Sequence, residues 1–309
     1  MSGYQYIRPE HIQEYQRFCL NHIRAFGRQR PEELWHYTDA NGLIGILKTG
    51  QIWARQVSCL NDTLEQRYFG DLVHAAVKAR RKEILDPVVE PLFRIADEGL
   101  DNVDLTSAGQ FVACFSEAED DLGQWRGYGG GECGYAIGFR SQAIVDAATR
   151  RPRTFLLPMG YADNIHNFIV ADVIRCAEIY FRNGLSLHVT PDLWAREFVA
   201  AFGNELSYIS ALVKHPKFSG EAESRIATFL QAGEHDQLVF RPKRTLLARH
   251  LPLDLAIKTD GMRFLPITRI YVGPGSAQKV SKISVGNLLL QCRYQNIPVE
   301  LSRVPYRVA

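Results

Sequence analysis

Leu34 to Ala54 reads LWHYTDANGLIGILKTGQIWA, and the rest of the chain is read outward from it. The stretch predicts a short strand carrying the polar triplet His36-Tyr37-Thr38, a capped helix, and a second strand over Gln51 to Ala54. Asp39 or Asn41 supplies the N-cap, because a short polar side chain accepts from the free N–H groups of a first helical turn. Leu43, Ile44, Ile46 and Leu47 form the apolar side, and Gly50 ends the helix in the left-handed conformation that glycine tolerates. The exposed N–H groups at the helix start favour an anion beside the triplet.

On the N-terminal side, residues 8 to 27 place Ile12, Tyr15, Phe18, Cys19, Ile23 and Phe26 roughly on one helical face. On the C-terminal side, Asn61 or Asp62 caps a helix running to about Arg81, with Glu65 at capping-box spacing from Asp62. A second helix spans about Pro87 to Glu98, and a loop covers Asp101 to Gly109. Phe111 to Ser116 is short, apolar and closed by an acidic turn, which predicts a buried strand ending in a polar residue. The glycine-rich run from Leu122 to Gly131 reads as a loop in which the backbone turns tightly or approaches a ligand closely. No Gly-Lys-Ser/Thr follows it, and no strand–GxGxxG–helix order surrounds it, so it is neither a P-loop nor a dinucleotide fingerprint. A strand over 134–139, a short helix over 140–150 and a strand and turn over 151–163 come next.

Residues 165–212 carry two helical patterns, Phe168 to Phe181 and Pro191 to Val213, and read as a helical insertion. Strand alternation over Glu221 to Phe229 puts Glu221, Glu223 and Arg225 on one face; a charged edge strand is the alternative. Residues 238 to 258 give a strand and a basic segment. The tail gives a strand over 267–274, a helix over 278–296 and a strand over 299–306. The expectation is an α+β fold, one domain over residues 1–309 with an N-terminal helical extension over 1–30.

Composition bounds the function without naming it. The chain has 309 residues, 46% hydrophobic and 23% charged, ordinary values for a soluble globular protein. A formal net charge of +2 does not announce a nucleic-acid binder, although a local basic groove would suffice for one. The six cysteines are scattered singly and none has zinc-ligand spacing, so buried free thiols and no metal are expected. The N-terminus lacks an apolar signal core and no segment is long enough to span a membrane, which predicts a cytoplasmic protein with no membrane partner.

Five landmarks occur in order: LWHYTDANGLIGILKTGQIWA, CLNDTLEQRY, ACFSEAEDDLGQWRGYGGG with GYAIGF, KHPKFSGEAESR, and ITRIYVGP. Together they resemble a widespread bacterial domain family of unknown function, and through it the ADP-ribosyltransferase superfamily. The resemblance implies a split, mixed β-sheet core clasping NAD+ as cosubstrate. His36 would hydrogen-bond a hydroxyl of the nicotinamide ribose, backbone groups beside it, at Tyr37, would hold the nicotinamide amide, and Thr38 would contact the adenosine side. Ser116 resembles the polar residue of the second motif. Glu221-Ala222-Glu223 resembles the ExE third motif, with Glu223 catalytic and Glu221 assisting the incoming nucleophile. Ser224 stands where the family pattern usually has an aromatic residue. By residue type, Arg126 is a candidate for the pyrophosphate and Tyr128 or Trp125 for stacking on nicotinamide. The alternative is a Trp125 anchored in the core, an Arg126 in a structural ion pair and a His36 that is a satisfied core histidine.

The function that follows is transfer of ADP-ribose from NAD+ to a macromolecular acceptor, RNA, DNA or protein. A toxin or phage-defence effector with an antitoxin partner is one setting for such a transferase. NAD+ hydrolysis and a catalytically inactive nucleotide-binding module are the alternatives. The basic residues of the Arg241–Arg244 run, with Arg249 and His250, are candidates for guiding a nucleic-acid acceptor.

Overall fold

The computed structural model describes Glu14, Tyr15, Arg17 and Cys19 and residues 30–60, 65–99, 109–129, 133–185, 190–231, 233–243, 246–259 and 262–305. In chain order the elements are β1 (Glu33–Thr38), α1 (Ala40–Thr49), β2 (Gln51–Gln56), α2 (Glu65–Glu83), α3 (Glu90–Gly99), β3 (Gln110–Ser116), α4 (Leu122–Tyr128) and β4 (Tyr135–Arg140). Next come α5 (Ser141–Ala148), β5 (Phe155–Pro158), α6 (Asp163–Gly184), α7 (Pro191–Ser210), β6 (Glu223–Phe229), β7 (Val239–Lys243) and β8 (Leu246–Asp254). The last are β9 (Ile257–Thr259), β10 (Met262–Phe264), β11 (Ile267–Val272), α8 (Gln278–Gln291) and β12 (Val299–Leu301). The class is mixed α/β, and the chain divides into two compact units.

The helical unit comprises Met1–Gly27, Leu60–Gln110 and Gly160–Lys217. The expected insertion over 165–212 is therefore not alone: α6 and α7 belong with α2 and α3. Thr190 caps α7 by accepting from Leu193 N, and Pro191 stands in the first turn, where a missing N–H costs nothing. Trp194 donates its Nε1–H to the Phe181 carbonyl at 2.9 Å and stacks on the Phe181 ring, which fastens α7 to α6. Arg81 pairs with Asp97 at 2.6 Å between α2 and α3. Of the expected helix over 8–27, Glu14, Tyr15, Arg17 and Cys19 are described and are helical, with Tyr15 and Cys19 buried; the Asn61–Asp62 caps lie outside the described residues.

The sheet unit comprises Arg28–Cys59, Phe111–Met159 and Phe218–Ala309. Its main sheet runs β12-β11-β4-β1-β3-β2-β8-β7, with β6 joined to β3 and β5 to β6. The β11–β12 pair is parallel and the β1–β4 pair antiparallel, so the sheet is mixed. Alternation divides its faces. Leu34, Ile137, Phe139, Ile52, Phe111, Phe115, Ile226 and Leu251 bury one face against Leu43 and Leu47 of α1, Ile144 of α5 and Leu289 of α8. The other face holds a smaller cluster of Trp35, Tyr37, Trp125, Ala136 and Tyr271.

The opening stretch folds as read. Asp39 is the N-cap of α1 and accepts from Gly42 N at 2.7 Å; Gly50 ends the helix at φ 67°. Asp39 itself places a carboxylate at this helix start. The glycine-rich run is not all loop: Asp121 caps α4 by accepting from Gln124 N at 2.9 Å, so Gln124, Trp125, Arg126 and Tyr128 project from a helix. Among the described residues no helix is long and apolar enough to cross a membrane.

Candidate functional site

The site grows from a fork in the sheet. Strand β1 registers with β3 at Trp35–Ser116, whereas β2 registers with it at Arg55–Val112 and Gln56–Phe111. The two strands thus engage opposite ends of β3, and Ala113 to Phe115 lie between the two registered segments. His36 sits at this interval. Its Nδ1 is 2.9 Å from the Cys114 carbonyl, and its ring lies 5.6 Å from that of Phe115. A carbonyl oxygen only accepts, so Nδ1 carries the proton and Nε2 is left as an acceptor. Desolvation lowers the His36 pKa below the usual histidine value; the Cys114 carbonyl opposes this and the Arg55 charge adds to it. The imidazole is therefore neutral at neutral pH. Thr38, on the same strand face, rests against the first turn of α1. A Cβ at Gly42 would stand 1.9 Å from Thr38 Oγ1, so only glycine lets the helix start this close.

The Tyr37 side chain points to the opposite face. Its hydroxyl donates to the Ala118 carbonyl at 2.9 Å and accepts from Asp121 N at 3.1 Å, while its ring meets Trp125 edge-on at 4.8 Å. Burial raises its pKa well above the usual tyrosine value. Trp125 is equally committed: it is buried, and its Nε1–H donates to Asp120 at 2.9 Å. Asp120 also accepts from Ser302 Oγ at 2.5 Å and from Arg303 N at 2.9 Å. The expectation that Trp125 stacks on a nicotinamide is corrected by this geometry, because no face of the ring is open to a ligand when the residue is 2% exposed. Tyr128, at the end of α4, is 44% exposed, and Arg126 is exposed on the same short helix.

Ser116 and the acidic motif do meet. Ser116 Oγ donates to the Glu221 carbonyl at 2.9 Å, and Gln124 Nε2 donates to the same oxygen at 3.1 Å. Glu117 N donates to the Ala222 carbonyl at 2.7 Å, and Ser224 Oγ donates to the Glu117 carboxylate at 3.1 Å. The end of β3 and the start of α4 thereby grip the backbone in front of β6. Within that grip the predicted alternation fails by one residue. Glu221 ends a 3₁₀ turn (Pro216–Glu221), Ala222 takes a left-handed φ of 43°, and the strand begins only at Glu223. A non-glycine residue in that region is strained, so the hydrogen bonds around it hold the turn in place. Glu223 and Arg225 do share a face, and both are buried. Arg225 donates Nε–H to Glu223 Oε1 at 2.6 Å and Nη2–H to Oε2 at 2.9 Å. Ile226 belongs to the large core with Phe115, so the pleat directs the Glu223–Arg225 pair to the face opposite His36.

The basic candidates separate in the same way. His250 registers with Arg55 across β2–β8, and Arg241 with Ala248 across β7–β8, which puts Arg241 and His250 on one face. Arg249 points to the other face, and Arg244 lies outside the described residues. Gln124, Asp120, Trp53 and Arg55 acquire roles that the sequence reading did not give them. The cap at Asp121 is the signal that could have placed Gln124 on a helix facing β6.

None of the six cysteines is in a disulfide, and among the described residues no group of histidine, cysteine, aspartate and glutamate is arranged to hold a metal. No curated protein and no solved structure matches the chain. A family model described as protein of unknown function (DUF2971) matches residues 124–226, about a third of the length, and carries no link to ADP-ribosyltransferases. The match opens on Gln124 and takes in Glu221, Glu223 and Arg225, so its span includes the gripped acidic turn but not His36 or Ser116.

Proposed function

We propose that the sheet unit binds NAD+ at the β3 fork and transfers its ADP-ribose to a macromolecular acceptor. The observation that carries this reading is His36: a neutral imidazole, fixed by the Cys114 carbonyl, offering Nε2 where β1 and β2 part. An acceptor nitrogen in that position suits a ribose hydroxyl, and a fixed one lowers the entropic barrier to reaction. The forked sheet agrees with the split ADP-ribosyltransferase-like core that the sequence landmarks imply.

In the transfer, the bond between nicotinamide and ribose C1′ breaks and nicotinamide leaves with the electron pair. The acceptor nucleophile bonds to C1′ and gives up its proton. A nearby carboxylate stabilises the oxocarbenium character that develops, and the Glu221–Glu223 turn supplies the candidates. Because the pleat separates His36 from Glu223, a single ligand meets both only by passing through the fork.

One observation favours a second reading, a nucleotide-binding module without turnover: the Glu223 carboxylate is already committed to Arg225 through two hydrogen bonds. The test is incubation of the purified chain with labelled NAD+ and, separately, RNA, DNA and protein fractions, beside Glu223→Gln. Label in one fraction, lost in the variant, is the expected result. Free nicotinamide without label transfer would make the protein a hydrolase. NAD+ binding without consumption would make it the binding module.

A further inference from the structure

The wing formed by β2, β8 and β7 carries a group of side chains that the NAD+ reading does not use. Trp53 and Arg55 project from β2, His250 from β8 and Arg241 from β7, all on one face by strand register. Arg55 donates Nε–H to His250 Nε2 at 3.3 Å. Arg241 reaches diagonally across the His250 row, and its guanidinium lies 4.8 Å from the centre of the Trp53 ring. His250 is buried beneath, its ring 5.9 Å from Trp53. Among the described residues no carboxylate pairs with Arg55 or Arg241, and the two guanidinium groups flank the same His250–Trp53 pair.

Trp53 is the exception among the four tryptophans. Trp35, Trp125 and Trp194 are buried at 2%, 2% and 1% exposure, whereas Trp53 is half-buried. A half-buried indole under an exposed arginine, with a second arginine beside it, joins an aromatic platform to cations. Bases stack on such a platform whatever their identity, and the guanidinium groups meet the backbone phosphates. A protein ligand would need carboxylates for the arginines and a separate apolar group for the ring, whereas each nucleotide brings a phosphate and a flat base together.

We propose that Trp53, Arg55 and Arg241 form a binding surface for single-stranded nucleic acid, with a base stacked at Trp53 and phosphates held by the two arginines. This deepens the transferase reading by naming the acceptor class. His250, which accepts from Arg55, is a positioning residue. Arg55 registers with Val112 of β3, next to the Ala113–Phe115 interval, so the surface adjoins the fork along the sheet.

The test is made without NAD+. A labelled mixed-sequence 12-nucleotide strand is titrated with the full chain by fluorescence anisotropy while tryptophan emission is followed. Binding with quenching is expected, weaker for the corresponding duplex, and weakened about tenfold or more by Trp53→Leu and by Arg241→Glu. Arg241 is exposed, so Arg241→Glu and the milder Arg241→Gln leave packing intact; thermal unfolding by circular dichroism checks each variant. Absence of binding, or equal binding by wild type and both Arg241 variants, overturns the proposal. So does equal binding and quenching by poly-glutamate, which would mean that the arginines read charge alone. Quenching by NAD+ with competition against the strand would assign the patch to the cosubstrate and overturn it too. NAD+ consumption is measured separately: a chain that binds strands but consumes no NAD+ keeps this surface and loses the transfer reading.

Discussion

Arg225 holds Glu223 by two hydrogen bonds within one strand, at 2.6 and 2.9 Å, with both side chains buried. Residues two apart on a strand share a face, so the pair is built into the GEAESR sequence itself. Buried charges are tolerated when paired and are costly when a partner is removed. Arg225→Met should therefore destabilise the protein by about 3–5 kcal/mol, because it leaves a carboxylate buried without its guanidinium. Glu223→Gln keeps size and shape and should cost less while abolishing NAD+ consumption. Urea unfolding of the two variants and of the double variant gives the coupling. Equal stability of Arg225→Met and wild type would show the pair to be incidental.

His36 gives a prediction in pH. Its folded pKa is lowered from 6.5 by desolvation, so the neutral ring that accepts at Nε2 persists to lower pH than a free histidine would allow. NAD+ affinity should stay level as pH falls through 6.5 and weaken only below that value, as the ring finally protonates. His36→Ala should raise the NAD+ requirement at every pH and remove this step. Calorimetric titration over a pH series reads both, and unchanged affinity in the variant would make His36 a purely structural residue.

Asp120 gathers Trp125, Ser302 and the Arg303 backbone onto one carboxylate, at a left-handed φ of 50° that aspartate tolerates better than most residues. Asp120→Ala strands a buried indole N–H and loses the other two bonds. A loss of about 2–4 kcal/mol is expected, with the Trp125 environment changed in near-ultraviolet circular dichroism. Asp120→Asn, which keeps an acceptor, should lose less.

His250 supplies a stability profile. Desolvation first, then Arg55 and, more weakly, Arg241, bring its pKa from 6.5 to about 4. The unfolded chain then binds the proton more readily than the folded one. Stability from this group is complete above about pH 6.5 and is lost as pH falls toward about 4. Wild type should show a falling melting temperature across that window, and His250→Gln a shallower one. Parallel curves would mean that other groups set the slope.

Much of the local structure was legible in the residues. Asp39 and Gly50 mark the two ends of α1 because capping chemistry acts within four residues, and Leu43 and Leu47 mark its buried face because the helix repeats at 3.6. The strand from Phe111 to Ser116 and the helices of 163–210 follow from the same short-range periodicities. The Leu122–Tyr128 helix is not legible in the sequence because glycines at 123 and 127 weaken the helical signal over only seven residues.

Residue types alone did not decide which candidates face a ligand. Tyr37 and Trp125 belong to the triplet and to the glycine-rich run by sequence, yet their polar atoms are taken up by Ala118, Asp121 and Asp120. Glu221 left the strand because Ala222 turns left-handed under the grip of Glu117, Ser116 and Gln124, contacts that span about a hundred residues. Strand neighbours are chosen by pairing at long range, so the fork that seats His36 and the register that gathers Trp53, Arg55, His250 and Arg241 came from the tertiary structure. Alternation and capping had already settled, within each short segment, which residues those neighbours would meet.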